Sequence, residues 1–330
     1  MVKNKQPKMK VLVDCHIPFI KGLLENFLDV EYLEPEEFVP RRVADADALV
    51  IRTRTRCNAA LLDNSRVQFI ATATIGLDHI DTDYCRSHNI FFTNAPGCNA
   101  QGVCDYVEDA IKEVVGKKKE VEGLILGVVG VGHVGSLVAK MGTRLGMKVL
   151  LNDPPKSKYS NCGIYTDLNT LAEQADIITF HTPLTKDGDY PTWHLCDSDL
   201  LAHCRKNVVI INAARGGILD EEAALAKQHS DKTFVIDTWE GEPHISQRML
   251  DRAAIATPHI AGYTLQGKIN ATDMCLQAIC KYFGLPALSI QRKTLPLQPL
   301  LKEDWILDDD RSLRASPEKF EYLRENYKLR

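Results

Sequence analysis

Short, continuous apolar runs restrict the folds open to this 330-residue chain more than any other feature. A first series reads KVLVD at 10–14, ALVIR at 48–52, VQFIATA at 67–73 and IFFTN at 90–94. Runs that are apolar throughout, without polar alternation, are typical of strands covered on both faces, as in parallel sheets. Because parallel strands need long crossover connections, helices are expected between these runs.

A second series of apolar runs begins after residue 120. It reads LILGVVG at 124–130, KVLLND at 148–153, IITFH at 177–181, VVIINAA at 208–214 and FVIDTW at 234–239. Segments with a helical period, such as 133–145 and 166–175, separate these runs. We therefore predict an α/β fold with two doubly wound parallel-sheet domains.

Turn-forming residues in NAPGCNAQGV place the boundary between the two sheets near residue 100. A helical pattern at 264–283 is expected to return the chain to the first domain. The predicted organisation is a disordered extension at 1–9, a first domain at 10–99 and 265–290, a second at 100–264, and a C-terminal segment at 291–330.

The C-terminal segment differs from the rest in composition. Ser316 followed by Pro317 predicts a helix start, with a capping hydroxyl and then proline at the first helical position. Phe320, Leu323 and Tyr327 then share one face of that helix. A helix packed on its own chain and a contact between subunits both account for this face, and the residues do not choose between them.

Composition narrows the classes of partner. The formal net charge of -4 gives no electrostatic reason to expect nucleic acid or a membrane surface. No apolar stretch approaches the ~20 residues that span a bilayer. The ten cysteines include no C-x-x-C pair and the start has no secretory signal, so we expect reduced thiols, a cytoplasmic protein and no metal site.

Gly130, Gly132 and Gly135 form a G-x-G-x-x-G motif between an apolar run and a helical pattern. In that context the glycines permit a tight turn, a close approach of pyrophosphate, and close packing of the helix on the strand. Asp153 ends the next run, where a carboxylate binds ribose hydroxyls and repels a 2′-phosphate. The motif therefore predicts NAD as cofactor, although NDPPK is also an ordinary Asp-Pro turn.

Further residues close predicted strands and are expected at the same edge of the second sheet. Ligands of open parallel sheets lie beyond the carboxyl ends of the strands. Asp237 is expected near the nicotinamide or its ribose, and the alternative is that it caps a following turn. The strand-end residues are Thr182, Ala213, Ala214, Arg215 and Asp237.

Three residues from distant segments have the chemistry that oxidation of a secondary alcohol needs. Arg215 offers a planar fork for a carboxylate, and His259 offers a proton acceptor. Glu242 can hold one imidazole nitrogen and raise the basicity of the ring. The alternative for His259 is a core histidine bonded to a backbone carbonyl.

These motifs resemble the D-2-hydroxyacid dehydrogenase family, whose arginine, glutamate and histidine match Arg215, Glu242 and His259. Glu240 lies two residues early and lacks the proline that follows the family's glutamate. The resemblance implies a flavodoxin-like substrate domain and a Rossmann NAD-binding domain. It also implies a homodimer, with 291–330 as a dimerisation segment shorter than is usual in the family.

Several motifs, above all PHIAGYTLQGK, are similar to members that oxidise 4-phospho-D-erythronate with NAD in vitamin B6 biosynthesis. This resemblance implies that a phosphorylated 2-hydroxy acid contacts Thr53, Thr74 and Tyr263. The cofactor contacts that it implies, together with the glycine motif, are Gly130, Gly132, His133, Val134, Gly135, Asp153, Thr182, Ala213, Ala214, Arg215, Asp237 and Gly262.

The substrate phosphate has several candidate partners. Arg52, Arg54 and Arg56 alternate in IRTRTR, as an anion cradle or as a solvated basic edge. Lys268 either reaches the same phosphate or lies in solvent. Two alternative functions stay open: another dehydrogenase of the family, such as one acting on 3-phosphoglycerate, and an NAD-sensing regulatory binding protein.

Overall fold

The structure is a computed structural model that describes residues 8–116, 118–159, 163–291 and 305–329. Most of the expected disordered extension lies outside these residues. Within the described ranges the chain divides into two compact units. The first unit contains 8–99 and 264–291, and the second contains 100–263 and 305–329.

The strands follow the apolar runs closely. The strands of the first unit are β1 (Lys10–Asp14), β2 (Asp29–Leu33), β3 (Ala48–Ile51), β4 (Phe69–Thr72) and β5 (Phe91–Thr93). Those of the second unit are β6 (Ile125–Val129), β7 (Lys148–Asn152), β8 (Ile177–Phe180), β9 (Val209–Asn212), β10 (Thr233–Ile236) and β11 (Ile255–Ala256).

Helices connect and cover these strands. In the first unit they are α1 (Pro40–Val43), α2 (Ala59–Leu62), α3 (Thr82–Ser87) and, after the second unit's sheet, α12 (Leu265–Phe283). In the second unit they are α4 (Ala100–Val114), α5 (Lys118–Val121), α6 (His133–Arg144), α7 (Pro154–Ser157), α8 (Leu168–Gln174), α9 (Ser198–His203), α10 (Glu221–Leu225), α11 (Gln247–Arg252), α13 (Trp305–Ala315) and α14 (Phe320–Glu325).

The first unit is built on a five-stranded parallel sheet with strand order β2-β1-β3-β4-β5. Its inner strands β3 and β4 are buried at every position, as their uninterrupted apolar sequences require. The edge strand β2 was not predicted. Its sequence, DVEYL, carries acidic residues at Asp29 and Glu31 because an edge strand is only partly covered.

The second unit is built on a six-stranded parallel sheet with strand order β11-β10-β9-β8-β6-β7. Apolar clusters cover both faces, one around Phe180 and Phe234 and the other around Val128 and Ile211. The two parallel sheets with helices on their faces confirm the predicted α/β class. Among the described helices, none combines the length and apolar character needed to cross a bilayer.

The C-terminal helices α13 and α14 pack on the second unit of their own chain. Leu313 and Phe320 are fully buried in its core, and Asp310 accepts a hydrogen bond from the Ala256 N–H at 2.7 Å. Ser316 and Pro317 begin a helical turn, Pro317–Lys319, as predicted, but the turn is 3-10 and the expected capping hydrogen bond from the Ser316 hydroxyl is not formed. The backbone there (φ -153, ψ 66) is not the extended conformation that capping residues adopt.

Candidate active site

The carboxyl ends of the second sheet carry the predicted site residues. All six strands are parallel, so the segments that follow them start from the same edge of the sheet. In strand order from β11 to β7, these segments contribute His259, Asp237, Arg215, Thr182, the glycine motif and Asp153.

The glycine motif has the geometry of a dinucleotide-binding turn. Gly130 adopts a φ of +88°, in the region that favours glycine. A Cβ at Gly135 would lie 1.9 Å from the Gly130 carbonyl oxygen, so only glycine lets α6 start this close to the turn. A Cβ at Gly132 would meet no protein atom within 4 Å, so this part of the turn faces open space. His133 and Val134 follow as the first residues of α6.

Asp153 joins the glycine turn to the end of β7. One carboxylate oxygen accepts from the Val131 N–H at 2.9 Å, and the other accepts from the Lys156 N–H at 3.0 Å and caps α7. The Asp-Pro turn and the ribose-binding position are therefore compatible, since each oxygen keeps capacity for a further donor. Asp153 also lines a cleft of about 520 Å³, whose other walls include Pro154, Tyr165 and Leu168.

The buried hydroxyl of Thr182 indicates whether the residues at this edge of the sheet fit the predicted cofactor. Its hydroxyl oxygen is buried and has no hydrogen-bond partner among the described residues. Its methyl carbon would lie 2.9 Å from a Cβ at Gly130, so the Thr182 side chain lies beside the glycine turn. Buried polar atoms are almost always paired in native proteins, so a polar ligand is expected here. A bound dinucleotide fits that requirement.

Asp237 holds the loop that carries His259. Its side chain accepts hydrogen bonds from Thr257 Oγ1 at 2.7 Å, from the Ile260 N–H at 2.8 Å and from the Ala261 N–H at 3.0 Å. Burial raises the pKa of Asp237, while these donors and the charge of His259 oppose the rise. Asp237 therefore holds a loop by its side chain, as the alternative interpretation predicted. Gly262 follows Ala261 in the same loop.

His259 has a backbone conformation that is uncommon for a residue with a side chain. Its φ is +56°, and its N–H donates to the Asp237 carbonyl oxygen at 2.8 Å. Such conformations persist where surrounding bonds fix them, and they are enriched at functional sites. The side chain is 33% exposed, so His259 is not a packed core histidine.

Glu242 holds the imidazole. Its Oε2 lies 2.8 Å from His259 Nδ1, and its Oε1 accepts from the Trp239 N–H at 2.8 Å. Burial raises the pKa of Glu242, but the hydrogen bonds from His259 and Trp239 and the charge of Arg324 bring it below the ordinary value. The carboxylate only accepts, so Nδ1 carries the proton and Nε2 is the acceptor of the neutral ring.

Glu240, the alternative acidic residue, has a different partner. Its Oε1 lies 3.0 Å from His194 Nε2. Its N–H donates to Glu221 Oε1 at 2.8 Å. The structure therefore places Glu242, and not Glu240, against His259.

The loop that carries Arg215 packs on the turn after β10, which contains Trp239 and Glu242. A Cβ at Gly216 would lie 1.9 Å from the Trp239 carbonyl oxygen, so the segments after β9 and β10 are in direct backbone contact. The Arg215 guanidinium donates to the Ala214 carbonyl oxygen at 2.8 Å, and the Arg215 carbonyl accepts from the Asn212 side chain at 2.9 Å. Ala213 is buried at the end of β9.

Sequence reasoning missed Glu221, which is 6% exposed and lies behind the Glu240 turn. Burial raises the pKa of Glu221 to about 7, and the charges of Glu240, Glu222 and Glu242 add to the rise. The acidic pair after Asp220 is also an ordinary start for a surface helix, so the sequence carried no signal for this site.

The predicted substrate contacts in the first unit lie after its strands. Thr53 is exposed in the turn after β3, and Thr74 Oγ1 lies 2.7 Å from Thr72 Oγ1 just beyond β4. Burial lowers the pKa of Lys268 in the first turn of α12, and the charge of Arg52 adds to the lowering. Tyr263, in the second unit, makes an edge-to-face contact with Tyr327, with ring centres 6.2 Å apart.

Comparison with known families identifies the second unit. Residues 105–261 match the family described as D-isomer specific 2-hydroxyacid dehydrogenase, NAD binding domain. This match covers the glycine motif, Asp153, Arg215, Glu242 and His259. It confirms NAD as the predicted cofactor.

Curated relatives extend the similarity over nearly the whole chain. The erythronate-4-phosphate dehydrogenase of Bacteroides thetaiotaomicron is 43% identical over 338 residues, which cover 98% of this chain and 97% of the relative. The enzyme of the same name from Porphyromonas gingivalis is 39% identical over 344 residues, covering 97% and 92%.

Solved structures show the same architecture. The NAD-bound 3-phosphoglycerate dehydrogenase of Entamoeba histolytica is similar with a TM-score of 0.70 and 26% identity, covering 89% of this chain and 99% of that one. The D-lactate dehydrogenase of Aquifex aeolicus, in complex with NAD and lactic acid, has a TM-score of 0.67 and 25% identity, covering 83% and 95%.

The predicted resemblance and the prediction of an NAD-dependent dehydrogenase are therefore confirmed by similarity of sequence and of fold. The chain belongs to the family of D-isomer specific 2-hydroxyacid dehydrogenases.

Proposed function

We propose that this protein oxidises 4-phospho-D-erythronate to (R)-3-hydroxy-2-oxo-4-phosphooxybutanoate with NAD, a step of vitamin B6 biosynthesis. The observation that carries the chemistry is the 2.8 Å contact of Glu242 with His259 at the cofactor edge of the second sheet. The substrate assignment is supported by 43% identity to an erythronate-4-phosphate dehydrogenase over 98% of this chain.

The proposed mechanism assigns one task to each of three side chains. His259 Nε2 takes the proton of the substrate's C2 hydroxyl, and Glu242 stabilises the imidazolium that forms. Arg215 binds the substrate carboxylate with its planar guanidinium. NAD, held at this edge, would supply the acceptor for the hydride of C2. General-base catalysis of this kind typically contributes ~10²–10⁴ in rate.

The same edge supplies the proposed cofactor contacts. The N–H groups at the start of α6, from Gly132 to Gly135, would bind the pyrophosphate, and Asp153 would accept hydrogen bonds from the adenosine ribose. The buried Thr182 hydroxyl, which has no hydrogen-bond partner among the described residues, would find one in the dinucleotide. The remaining contacts are those that the family resemblance implies: Ala213, Ala214, Arg215, Asp237 and Gly262.

The first unit is the proposed substrate-binding domain, with Thr53 and Thr74 as contacts, and the family resemblance adds Tyr263 of the second unit. We assign the substrate phosphate to Arg52 and Lys268. Lys268 lies in the first turn of α12, where the helix dipole disfavours a cation, and it also feels burial and the charge of Arg52. A phosphate dianion compensates all three effects.

Other groups nearby agree with an anion site. The Thr55 hydroxyl, in the turn after β3, is buried without a hydrogen-bond partner in the described part of the chain. Arg54 and Arg56, in contrast, are exposed and fit the solvated basic edge. Arg52 is half-buried and its Nε donates to Asp14 at 3.0 Å, which fixes the guanidinium.

An assay of NAD reduction tests the proposal. The values of kcat/KM for 4-phospho-D-erythronate and for D-3-phosphoglycerate are compared, and we expect a much higher value for 4-phospho-D-erythronate. A preference for phosphoglycerate would assign the chain to another activity of the family. Binding of NAD without turnover of any 2-hydroxy acid would favour the regulatory binding protein.

Two further assignments follow the family resemblance. We propose a homodimer in the cytoplasm, with the C-terminal segment at 291–330 contributing to the subunit contact. Light scattering on the chain of 330 residues measures the oligomeric state directly. A monomer would contradict the dimer.

A further inference from the structure

The C-terminal segment carries a charge to the proposed catalytic pair. Arg324 Nη1, in α14, lies 3.5 Å from Glu242 Oε2, the same oxygen that contacts His259 Nδ1 at 2.8 Å. We propose that Arg324 is a positioning residue that weakens the hold of Glu242 on the protonated imidazole and so keeps His259 available as a base. This inference rests on the catalytic role proposed for His259.

The Arg324 guanidinium is fixed by its own segment. Its Nη2 donates to both carboxylate oxygens of Glu321, at 2.7 and 2.8 Å. Its central carbon lies 6.0 Å from the centre of the Phe320 ring, which is completely buried in the core of the second unit. Because Phe320 anchors α14, the charge is held at a defined place, and the side chain is only 25% exposed.

A second residue of the same segment contacts the chain just after the His259 loop. The Tyr327 ring meets the Tyr263 ring edge to face at 6.2 Å, and its hydroxyl donates to Asp309 Oδ2 at 3.0 Å. The C-terminal segment therefore touches both the carboxylate that orients His259 and the tyrosine that follows its loop. Two independent contacts argue against a chance approach of one flexible arginine.

The charges around the pair determine what Arg324 does. Glu242 and Asp237 face His259, and the charges of Glu221 and Glu240 reach the same turn. Together they place negative charge around the turn that carries the His259 ring. Arg324 opposes them, because it shares an oxygen with the imidazole and repels its positive charge. In the oxidation direction only the neutral ring accepts the substrate proton, so Arg324 extends activity to lower pH.

Replacement of Arg324 tests this role. In Arg324→Met we expect the acid limb of the pH profile of kcat for substrate oxidation to move up by about 0.5–1 pH unit. On that limb the rate falls roughly threefold to tenfold at fixed pH. Arg324→Lys, which keeps the charge, restores most of the limb. Arg311→Met is the matched control, since Arg311 pairs with Asp308 within the exposed side of α13.

A measurement without turnover separates this inference from the proposed function. The imidazole of His259 is followed by NMR titration of the ligand-free protein, and its titration midpoint should also move up in Arg324→Met. A midpoint and an acid limb that both stay in place would overturn the inference, even if the variant is less stable. A wild-type protein without dehydrogenase activity would contradict the proposed function. The NMR shift would still report the electrostatic coupling between Arg324 and His259.

Discussion

His259 and Glu242 stand on turns that follow two neighbouring strands, and their side chains meet at 2.8 Å. The contact joins a loop fixed by Asp237 to a turn fixed by the Trp239 N–H. The ring is therefore oriented from the backbone outward. Because neither residue belongs to the glycine turn, proton transfer by His259 can be tested separately from cofactor binding.

Replacing His259 by asparagine should remove the base and leave the glycine turn intact. We expect kcat to fall by ~10²–10⁴, while NAD binding, followed by protein fluorescence, stays within about a factor of three of wild type. His194→Asn is the matched control, because His194 also pairs with a glutamate and also has a positive φ. Retained turnover in His259→Asn would contradict the mechanism.

Asp237→Asn should loosen the His259 loop. Both oxygens of Asp237 accept hydrogen bonds, so an amide NH₂ in place of one oxygen faces a donor and leaves it unpaired. We expect a loss of about 1–3 kcal/mol in the free energy of unfolding, measured in urea, together with lower kcat. Asp251→Asn, on the exposed face of α11, is the control. An unchanged unfolding midpoint in Asp237→Asn would rule out the structural role.

Lys268→Met should weaken binding of the phosphorylated substrate selectively. A charged hydrogen bond typically contributes about 1.5–3 kcal/mol, so KM for 4-phospho-D-erythronate is expected to rise roughly tenfold to a hundredfold. Activity on D-erythronate, which lacks the phosphate, should change little. Lys281→Met, at the exposed end of the same helix, serves for comparison. An equal effect on both substrates would show that Lys268 does not bind the phosphate.

Glu221 predicts a pH-dependent stability. Its pKa is raised to about 7 by burial, above that of an unfolded-chain glutamate, so the folded state binds more protons between about pH 4.5 and 7. Its contribution is most favourable below pH 4.5 and is lost as pH rises through 7. Glu221→Gln keeps the acceptor for the Glu240 N–H without the charge.

The thermal midpoints of wild type and Glu221→Gln are compared at pH 5 and pH 8. We expect Glu221→Gln to gain relative to wild type at pH 8, by up to about 3 kcal/mol in unfolding free energy, and to differ little at pH 5. A gain that is the same at both pH values would mean that Glu221 does not titrate in this range.

The sequence predicted the parts of the fold that depend on local pattern. Inner strands such as β3 and β9 are buried at every position, and their apolar runs are unambiguous. The two missed strands, β2 and β11, lie at sheet edges, where β2 is partly polar and β11 has two residues. The glycine motif and the strand-end residues were predictable because parallel topology alone brings them to one edge.

Contacts between distant segments were not predictable. Nothing near Glu221 or Arg324 in the sequence signals that both lie close to Glu242, since each sits in an ordinary amphipathic helix. The same holds for Cys15, His16 and Glu34, whose potential ligand atoms lie within 4.8 Å of one another although no spacing motif joins them. Such groupings are set by tertiary packing, which local periodicity does not encode.

The first unit is built from two segments of sequence, one before and one after the sheet of the second unit, and this order has a consequence for synthesis of the chain. Phe69 in β4 packs against Tyr282 and Phe283, with ring centres 4.9 and 6.1 Å apart, and α12 supplies much of that core. As the nascent chain leaves the ribosome, all strands of the second sheet emerge before α12 does. Until α12 emerges, one apolar face of the first sheet stays exposed to solvent. Slow translation upstream of α12 would therefore lengthen the interval in which this apolar surface is exposed and prone to aggregate.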